Sequence, residues 1–367
     1  MKPRILFILH LPPPIHGAAM MGKYIQESEL INSSFDCFCI NLATAGSLSD
    51  IGHISLKKLL KYFFLLKHIS HVVREIRPEL VYITPNAGGK AFFKDFIVVQ
   101  MLKSMGCKVI AHYHNKGVSV YQSKWVYNFF YKRFFSNLKV ILLAETLYKD
   151  IAKYVKREDV YICPNGIPSS CKEEMEARRN NVIPHLLFLS NLLISKGVIV
   201  LLDALKILKE KEYTFVCQFI GGETAEINAV QFFEEVNKRE LSDLVTYVGR
   251  KVREEKEAFF RQADIFVFPT YYETFGLVNL EAMEYKLPVI STNEGGIPDI
   301  VKDGENGLIC EKQNPVSLAD CIAKLLDDEE LRVKMGSAGH EKFCREFTLD
   351  KFENRMRDIL NQNLFSS

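Results

Sequence analysis

The chain has 367 residues, of which 48% are apolar, enough for two domains that each bury a core. Its net charge of +2 conceals an asymmetry. Residues 1–165 hold 22 Lys and Arg against 11 Asp and Glu, a net charge of +11, and residues 166–367 hold 25 against 34, a net charge of −9. We therefore expect an anionic partner for the first half only.

Several protein classes are excluded at this level. The nine cysteines contain no C-x-x-C pair and no His/Cys metal spacing, so reduced thiols in a cytoplasmic protein are the simplest interpretation. Residues 1–11 lead into three prolines without a small-residue cleavage pattern, which argues against a signal peptide. No stretch reaches the roughly 18 apolar residues that span a bilayer. We expect a soluble or peripheral protein.

The first half alternates strand-like and helix-like segments. Apolar runs with strand character lie at 5–9, 37–40, 80–84, 108–111, 140–143 and 160–163, and helical patterns lie at 17–30, 55–76, 90–105, 123–136 and 145–155. This alternation indicates a parallel, doubly wound sheet, whose ligands bind beyond the carboxyl ends of the strands. The residues that directly follow each strand are therefore site candidates.

Three loops after strands of the first half carry such candidates. The segment PPPIHGAAM places His16 and Gly17 before a helix of small residues, as a close-approach loop or a plain tight turn, and it lacks the G-x-G-x-x-G of a dinucleotide site. Asn86 follows the third strand, and His112 and His114 follow the fourth. One histidine at a strand end is usually structural, whereas two within three residues favour a ligand site.

A cluster of turn formers, PNGIP at 164–168, followed by the polar stretch 172–181, marks a domain boundary. A second alternating series then begins, with apolar runs at 186–189, 215–220, 244–248, 265–268 and 289–291. Lys196 precedes its first helix and would add a cation to a phosphate-binding helix end, although a plain surface lysine is the alternative. Gly222 and Arg250 follow later strands, where glycine is most often only a turn.

The segment PTYYETFGLVNLEAM, residues 269–283, reads as the end of a buried strand, a turn and a helix beginning near Thr274. The first amides of that helix would bind phosphate, and Gly276 would let a ligand approach the main chain. Glu273 would lie at the mouth of this site and Glu281 along the helix, where sugar and ribose hydroxyls suit two carboxylates better than a diphosphate does. An ordinary unit with two solvated glutamates is the alternative.

This segment resembles the E-x7-E signature of the retaining glycosyltransferases of family 4. The resemblance implies the GT-B fold, an α/β architecture of two Rossmann-like, doubly wound parallel-sheet domains facing a cleft. It implies an N-terminal acceptor domain, 1–165, joined by a C-terminal helix, 348–367, and a C-terminal nucleotide-sugar donor domain, 166–347. In that family the first Glu contacts the donor sugar, the second contacts the ribose, and the amides between them bind the diphosphate.

The resemblance also implies residue roles. Catalytic roles fall to Glu273, His114 and Lys196; donor binding to Glu281, Phe275, Gly276, Leu277, Gly17, Arg250, Gly222 and Asn191; and the acceptor cleft to His16, Asn86 and His112. Family members commonly carry an Arg near Asn191 that pairs with the Lys on the diphosphate, and here Arg250 and Lys251 are the nearest replacements. Residues 295–299 and 306–308 resemble further family turns, the first of them near the donor sugar.

We expect a retaining hexosyltransferase that moves a sugar from a nucleotide-diphosphate sugar to a saccharide acceptor, lipid-linked, in bacterial-type surface polysaccharide assembly. No Asp-x-Asp is present, so we expect a metal-independent enzyme without a cofactor. A sugar-nucleotide epimerase and a non-catalytic sugar-binding subunit are the alternatives. A glycoside hydrolase pair is disfavoured because both glutamates share one phosphate-binding helix end, and no nucleic-acid module is recognised.

Two segments of the first half, 55–77 and 116–139, alternate basic with aromatic residues and include Trp125, the only Trp. Amphipathic helices of this composition lie on anionic lipid surfaces, with aromatic rings at headgroup level. The alternative is that the aromatic residues form the core face of ordinary helices. We expect a cytoplasmic protein that rests on the inner face of the cell membrane.

Overall fold

The computed structural model describes residues 2–13, 17–42, 56–169, 181–251 and 254–365, with the backbone alone described at 56–59 and 254. The chain divides into two compact units, Met1–Gly166 with Leu349–Ser367, and Ile167–Thr348. The sequence placed each of these boundaries one residue earlier. His16, Lys172 and the other residues of 170–180 lie outside the described residues.

The first unit is built on one parallel sheet with the strand order β2-β1-β3-β4-β5-β6. The strands are β1 Arg4–Leu9, β2 Asp36–Asn41, β3 Leu80–Ile83, β4 Val109–Tyr113, β5 Lys139–Leu142 and β6 Val160–Ile162. The helices are α1 Gly17–Glu27, α2 Glu29–Ser34, α3 Leu56–Ile76, α4 Gly89–Ser104, α5 Val118–Tyr121, α6 Trp125–Phe135, α7 Tyr148–Ile151 and, from the end of the chain, α15 Leu349–Phe365. Every residue of β3 and β4 is buried, as expected where helices cover both faces of a parallel sheet.

The final helix belongs to the core of the first unit. Phe352, Met356 and Leu360 of α15 are fully buried and share one hydrophobic cluster with Phe7 and Tyr82 from the sheet. Their spacing of four residues puts all three on one helical stripe. The last helix of the chain therefore completes the unit in which the chain began.

The second unit repeats this plan with the order β12-β11-β10-β7-β8-β9, again all parallel. The strands are β7 His185–Leu189, β8 Val216–Ile220, β9 Val245–Tyr247, β10 Ile265–Val267, β11 Val289–Thr292 and β12 Gly307–Cys310. The helices are α8 Val198–Glu210, α9 Ala229–Lys238, α10 Glu254–Gln262, α11 Leu277–Glu284, α12 Ile297–Ile300, α13 Pro315–Asp327 and α14 Glu329–Glu346. The predicted fold class, two doubly wound parallel sheets, is confirmed.

One predicted turn is instead the start of a strand. Asn306 does make a turn, because its side chain accepts from the amide of Lys302 at 2.6 Å and donates to the carbonyl of Ile300 at 3.1 Å. Gly307, however, begins β12. A Cβ at residue 307 would lie 2.2 Å from the carbonyl oxygen of Val289 on the neighbouring strand. This glycine serves close strand packing, which a sequence pattern does not distinguish from a turn.

Membrane-spanning helices and metal-binding groups were both searched for among the described residues. No helix among the described residues combines the length and the apolarity needed to cross a bilayer. Within those same residues, no three His, Cys, Asp or Glu side chains are grouped so that they could hold a metal ion.

Candidate active site

Two loops of the second unit meet beside the middle of its sheet. Strands β7 and β10 are neighbours, while β8 and β9 lie on the other side of β7, so the chain changes direction at this point. In doubly wound sheets this is where ligands bind. The carbonyl of Ser195 accepts hydrogen bonds from the amide of Tyr271 at 3.0 Å and from the hydroxyl of Thr270 at 3.1 Å. The loops after β7 and β10 are thereby joined.

Gly197 lets these loops approach each other. Its φ is +85°, and a Cβ at this position would lie 2.3 Å from the carbonyl oxygen of Pro269. Any side chain would force the loops apart. Because α8 begins at Val198, Lys196 is held directly before a helix N-terminus and against the loop that carries Glu273.

Lys196 and Glu273 form an ion pair at this junction. The Nζ atom of Lys196 lies 2.8 Å from Oε2 of Glu273 and 2.9 Å from the carbonyl oxygen of Tyr272. The two side chains are only 18% and 22% exposed. The other oxygen of Glu273 accepts from the amides of Thr274 at 2.8 Å and Phe275 at 3.3 Å. The amide of Phe275 therefore faces Glu273 and not an empty anion site.

The prediction that the helix begins near Thr274 is wrong. Gly276 caps α11 with φ +90° and ψ +59°, a left-handed conformation that interrupts a right-handed helix. The amide of Asn279 bonds to the carbonyl of Gly276 at 3.0 Å. The amides of Leu277 and Val278, at the first two helical positions, have no intrahelical acceptor. The helix end that could bind an anion therefore presents the amides of Leu277 and Val278.

Glu281 lies on the same face of α11 as Leu277, one turn further along. Its Oε1 atom is 2.6 Å from Nζ of Lys256 on α10. Its Oε2 atom is buried and accepts no hydrogen bond from any described residue. One oxygen of Glu281 is therefore paired with a lysine, and the other is buried without a donor in the described part of the chain. This argues against the alternative prediction of an ordinary strand and helix with two solvated glutamates.

The glycine turn after β11 packs against Glu273. A Cβ at Gly295, whose φ is +56°, would lie 2.3 Å from the carbonyl oxygen of Glu273, and the amide of Gly296 donates to the carbonyl of Thr274 at 2.8 Å. Glu294 is 6% exposed and pairs with Lys312. This turn supports the backbone on which the first signature glutamate stands.

Asn191, Gly222 and Arg250 lie together at the ends of β7, β8 and β9. The side-chain oxygen of Asn191 accepts from the amide of Gly222 at 3.1 Å. A Cβ at residue 222 would lie 3.1 Å from that oxygen and 3.9 Å from Cδ of Arg250. Asn191 therefore ties two loops together, and Arg250 runs across the open face of the glycine. Arg250 is exposed and forms no ion pair with the rest of the described chain.

The two histidines of the first unit occupy the end of β4. His112 is fully buried, and its Nδ1 atom lies 2.6 Å from the hydroxyl of Tyr82. The rings of His112 and His114 are 4.2 Å apart. Burial, together with the neighbouring His114, lowers the pKa of His112 well below its usual value. His112 is therefore a neutral imidazole within the sheet edge, and His114 is the one that follows the strand.

Asn86 is held in place by the buried carboxyl group of Asp95. Its amide N–H and its side-chain NH₂ donate to Oδ2 of Asp95 at 2.7 and 2.8 Å. The next residue, Ala87, donates its amide to the side chain of Asn115 at 2.7 Å and accepts from Tyr131 on α6. Burial raises the pKa of Asp95 to about 6, although the hydrogen bonds from Asn86 act to lower it. The loop after β3 is thus fixed to the loop that follows His114.

The remaining candidates of the first unit are placed only in part. Gly17 is the first residue of α1, and His16 lies outside the described residues. The structure brings together Lys196, Glu273, Gly276 and the neighbouring glycines in the second unit. It brings together Asn86, His112 and His114 along the carboxyl edge of the first sheet.

Sequence patterns did not reveal Lys256, Asn279 and Asp95. Lys256 lies within the charged segment REEKEAFF, which is typical of a solvated helix, and its contact with Glu281 bridges 25 positions. Asn279 is fully buried, and neither side-chain polar atom has a partner among the described residues. Asn279 and Asp95 are polar residues at otherwise apolar helical positions, and this pattern is the one sequence signal that could have identified them.

Comparisons with known proteins show what this chain is similar to in sequence and fold. Residues 172–342 match the family model described as Glycosyl transferases group 1. Over 176 residues, 48% of this chain and 47% of the relative, the chain is 35% identical to an uncharacterized glycosyltransferase of Methanocaldococcus jannaschii. It is 32% identical over 172 residues, 47% of this chain and 44% of the relative, to the capsular polysaccharide biosynthesis glycosyltransferase CapM of Staphylococcus aureus. The matches span less than half of each relative.

A solved structure extends the likeness to both units. Anabaena Alr3699/HepE, determined in complex with UDP-glucose, aligns with a TM-score of 0.73 and 17% identity, covering 98% of this chain and 99% of that one. At this identity the alignment establishes the fold. The second unit therefore matches the group 1 glycosyltransferase family in sequence, and the two units together have the GT-B fold.

Proposed function

We propose that the protein is a retaining, metal-independent hexosyltransferase, which takes a nucleotide-diphosphate sugar on its second unit. The acceptor is a saccharide, lipid-linked, and the product belongs to a surface polysaccharide. No cofactor other than the donor substrate takes part, and the protein works in the cytoplasm. The resemblance to family 4 supports the retaining outcome.

One arrangement carries the proposal. The amides of Leu277 and Val278, the ammonium of Lys196 and the carboxylates of Glu273 and Glu281 all lie at or along one helix end beside the β7–β10 junction. An anion site flanked on both sides by hydroxyl acceptors fits a diphosphate between two sugars. A glycoside hydrolase has no use for the amides and the lysine.

The chemistry that follows needs no metal. The bond between C1 of the donor sugar and the phosphate oxygen breaks, and Lys196, the two amides and Arg250 stabilise the negative charge on the departing diphosphate. Glu273 orients the sugar through its hydroxyls. The departing phosphate oxygen takes the proton of the acceptor hydroxyl, whose oxygen bonds to C1 on the face that the phosphate leaves. The anomeric configuration is retained.

The choice of donor and pathway rests on relatives. The Anabaena structure holds UDP-glucose, which supports a nucleoside diphosphate hexose as the donor. The CapM relative is a capsular polysaccharide biosynthesis enzyme, which supports assembly of a surface polysaccharide.

A basic and aromatic surface on the first unit supports a membrane-bound acceptor. Helix α4 packs between α3 and α6, with Tyr62 of α3 donating to the carbonyl of Lys94 at 2.6 Å and Phe96 meeting Phe130 of α6 at 4.8 Å. The exposed apolar side chains on these helices include Leu60, Phe63, Phe64, Ile97, Trp125 and Phe129, with Trp125 79% exposed. Lys67 and Arg133 lie over the rings of Phe63 and Phe129. We call this set the α3–α6 surface.

The α3–α6 surface fits anionic lipid. Its rings are not the core face of their helices, since Phe64 is 64% exposed. Each basic residue near such a membrane contributes about 1 kcal/mol. The alternative expectation, that all aromatics of these helices are core residues, holds for Tyr131 and Phe134 and fails for Trp125 and Phe129.

The donor assignment is tested by thermal shift with a panel of nucleotide sugars, since a ligand of the folded state raises the melting temperature. We expect one nucleoside diphosphate hexose to raise it, and proton NMR of the transfer product to show the donor's anomeric configuration. An inverted product, or no stabilising nucleotide sugar, would overturn the proposal. Conversion of the donor to an isomer without acceptor would identify an epimerase instead.

The membrane assignment is tested with vesicles and the single Trp. Vesicles of phosphatidylglycerol should shift Trp125 emission to the blue and carry the protein in flotation, and both effects should fade with added salt. Charge reversal at Lys61, Lys67, Lys132 and Arg133 should abolish flotation, while reversal at Lys206 and Lys238 of the second unit should not. Absence of binding at low salt would contradict the assignment.

A further inference from the structure

Helix α10 supplies a lysine to the second signature glutamate. The Nζ atom of Lys256 lies 2.6 Å from Oε1 of Glu281, and the two side chains are 25% and 23% exposed. By contrast, Lys209 of α8 and Asp243 of the loop before β9 are 36% and 65% exposed. Exposed pairs of that kind exchange freely with water. The pair at Glu281 is largely withdrawn from solvent and therefore has a fixed geometry.

Lys256 engages one oxygen of the carboxylate and leaves the other oxygen open. Oε2 of Glu281 is buried, and no side chain or amide of the described chain donates to it. A buried carboxylate oxygen without a donor is unfavourable, because it has lost water and gained nothing. The arrangement suits a hydrogen-bond donor that arrives with a ligand.

The position along α11 identifies that donor. Glu281 lies one helical turn, about 5.4 Å, beyond Leu277, and the amides of Leu277 and Val278 are the groups suited to a phosphate. One turn is comparable with the distance between the 5′ phosphate of a nucleotide and its ribose hydroxyls. A ribose hydroxyl is therefore the donor that fits Oε2 when the diphosphate lies on the amides.

We propose that Lys256 is a positioning residue, which holds Glu281 so that its free oxygen selects a ribonucleotide over a deoxyribonucleotide. The proposal rests on the proposed function, because it takes the ligand to be a nucleoside diphosphate. Lys256 fixes Oε1 and prevents the rotation that would turn Oε2 away from the ligand. Without the lysine, both oxygens would be solvated in several orientations, and the preference for a hydroxyl at the ribose would fall.

The test is a calorimetric titration of the full chain with UDP, GDP and ADP and with their 2′-deoxy and 3′-deoxy counterparts. For the diphosphate that binds, the wild-type protein should prefer the ribose form to a deoxy form by at least about tenfold, the worth of one hydrogen bond to a charged group. In Lys256→Met this ratio should fall to within about threefold of unity, with deoxynucleotide affinity nearly unchanged. Lys256→Arg should retain most of the ratio.

A matched control separates positioning from folding. Lys209→Met also removes an ion pair within the second unit, between α8 and the loop before β9, and should leave the ratio at its wild-type value. Equal weakening of ribose and deoxyribose forms in Lys256→Met would show a general structural role and overturn the inference, as would an unchanged ratio. If the wild type binds none of the diphosphates, the proposed function fails, and the inference fails with it.

Discussion

The two sheets have one architecture, but the carboxylates near their carboxyl edges accept hydrogen bonds from different kinds of donor. In the second unit, Glu273 and Glu281 each accept from a lysine of another element, at 2.8 and 2.6 Å. In the first unit, Asp95 accepts from the two N–H groups of Asn86, at 2.7 and 2.8 Å. A lysine next to a glutamate is a cation already in place for a phosphate, whereas an amide brings no charge. The second edge therefore has cations beside its glutamates, whereas Asp95 accepts from the neutral N–H groups of Asn86.

The net charges of the two halves point the other way, and the structure shows why. The first half carries +11, and two of its exposed cations, Lys67 and Arg133, lie on the α3–α6 surface. The second half carries −9 and still places Lys196 directly before the N-terminus of α8. Net charge describes the surface of a unit, while the ligand depends on a few groups at the sheet edge.

The largest effect should come from the ion pair at the β7–β10 junction. Lys196→Ala removes the cation next to the departing diphosphate and should lower kcat about 10²- to 10³-fold, as loss of one oxyanion donor does. Glu273→Ala should likewise act mainly on kcat. Steady-state kinetics decide this, with Lys209→Ala as the control lysine. A near-normal rate in Lys196→Ala would remove the lysine from the mechanism.

Asp95 should make the stability of the first unit depend on pH. Burial raises the pKa of this carboxyl from 3.8 to about 6, so the folded state binds the proton more tightly than the unfolded state. The contribution of Asp95 to stability is full below about pH 4 and is lost as the pH rises through about 6. Relative to Asp95→Asn, the wild type should lose about 3 kcal/mol of unfolding free energy between these limits. Urea titrations at several pH values measure this, and a pH-independent difference would contradict it.

The two signature glutamates should affect different kinetic parameters. Glu281→Ala should raise the donor KM about tenfold, the value of one hydrogen bond to a charged group, and leave kcat nearly unchanged. Glu273→Ala should show the reverse pattern. Small and equal changes in both parameters from both variants would mean that the two carboxylates do not serve separate parts of the donor.

Much of the fold and part of the candidate site could be predicted from the sequence. The alternation of apolar and helical segments predicted both parallel sheets, because that pattern depends on burial alone. The pairing of Lys196 with Glu273 was not predicted as a contact, since it depends on Gly197 allowing the loops to meet. The start of α11 was misplaced because the left-handed conformation of Gly276 leaves no trace in helical periodicity. Lys256 was missed because contacts between helices are set by packing.

Arg250 lies across Gly222 beside Asn191, the position at which the resemblance to family 4 predicts an arginine. Arg250→Ala should cost a few-fold to about tenfold in kcat/KM, less than Lys196→Ala, since the arginine is exposed to solvent. Adding Asn191→Arg to that variant should restore much of the loss. Failure of this rescue, with both variants folded, would assign the second cation elsewhere.

The smallest expected effect is that of chelation. With Lys196, Arg250 and the helix amides meeting the charge of the diphosphate, EDTA should change the rate by less than about twofold. The measurement is the transfer rate before and after dialysis against EDTA, with Mg²⁺ and Mn²⁺ added back. Loss of turnover that either ion restores would show that a metal supplies the charge in place of these groups.

The proposed mechanism places donor recognition at the edge of the second sheet. The decisive experiment titrates the nucleotide sugar that raises the melting temperature most into three proteins: the wild type, Lys196→Ala with Glu281→Ala, and Asn86→Ala. We predict that the double variant of the second edge loses at least about a hundredfold in affinity, from two charged contacts, and that Asn86→Ala stays within about threefold of the wild type. Donor affinity that survives the double variant and falls in Asn86→Ala would contradict the account.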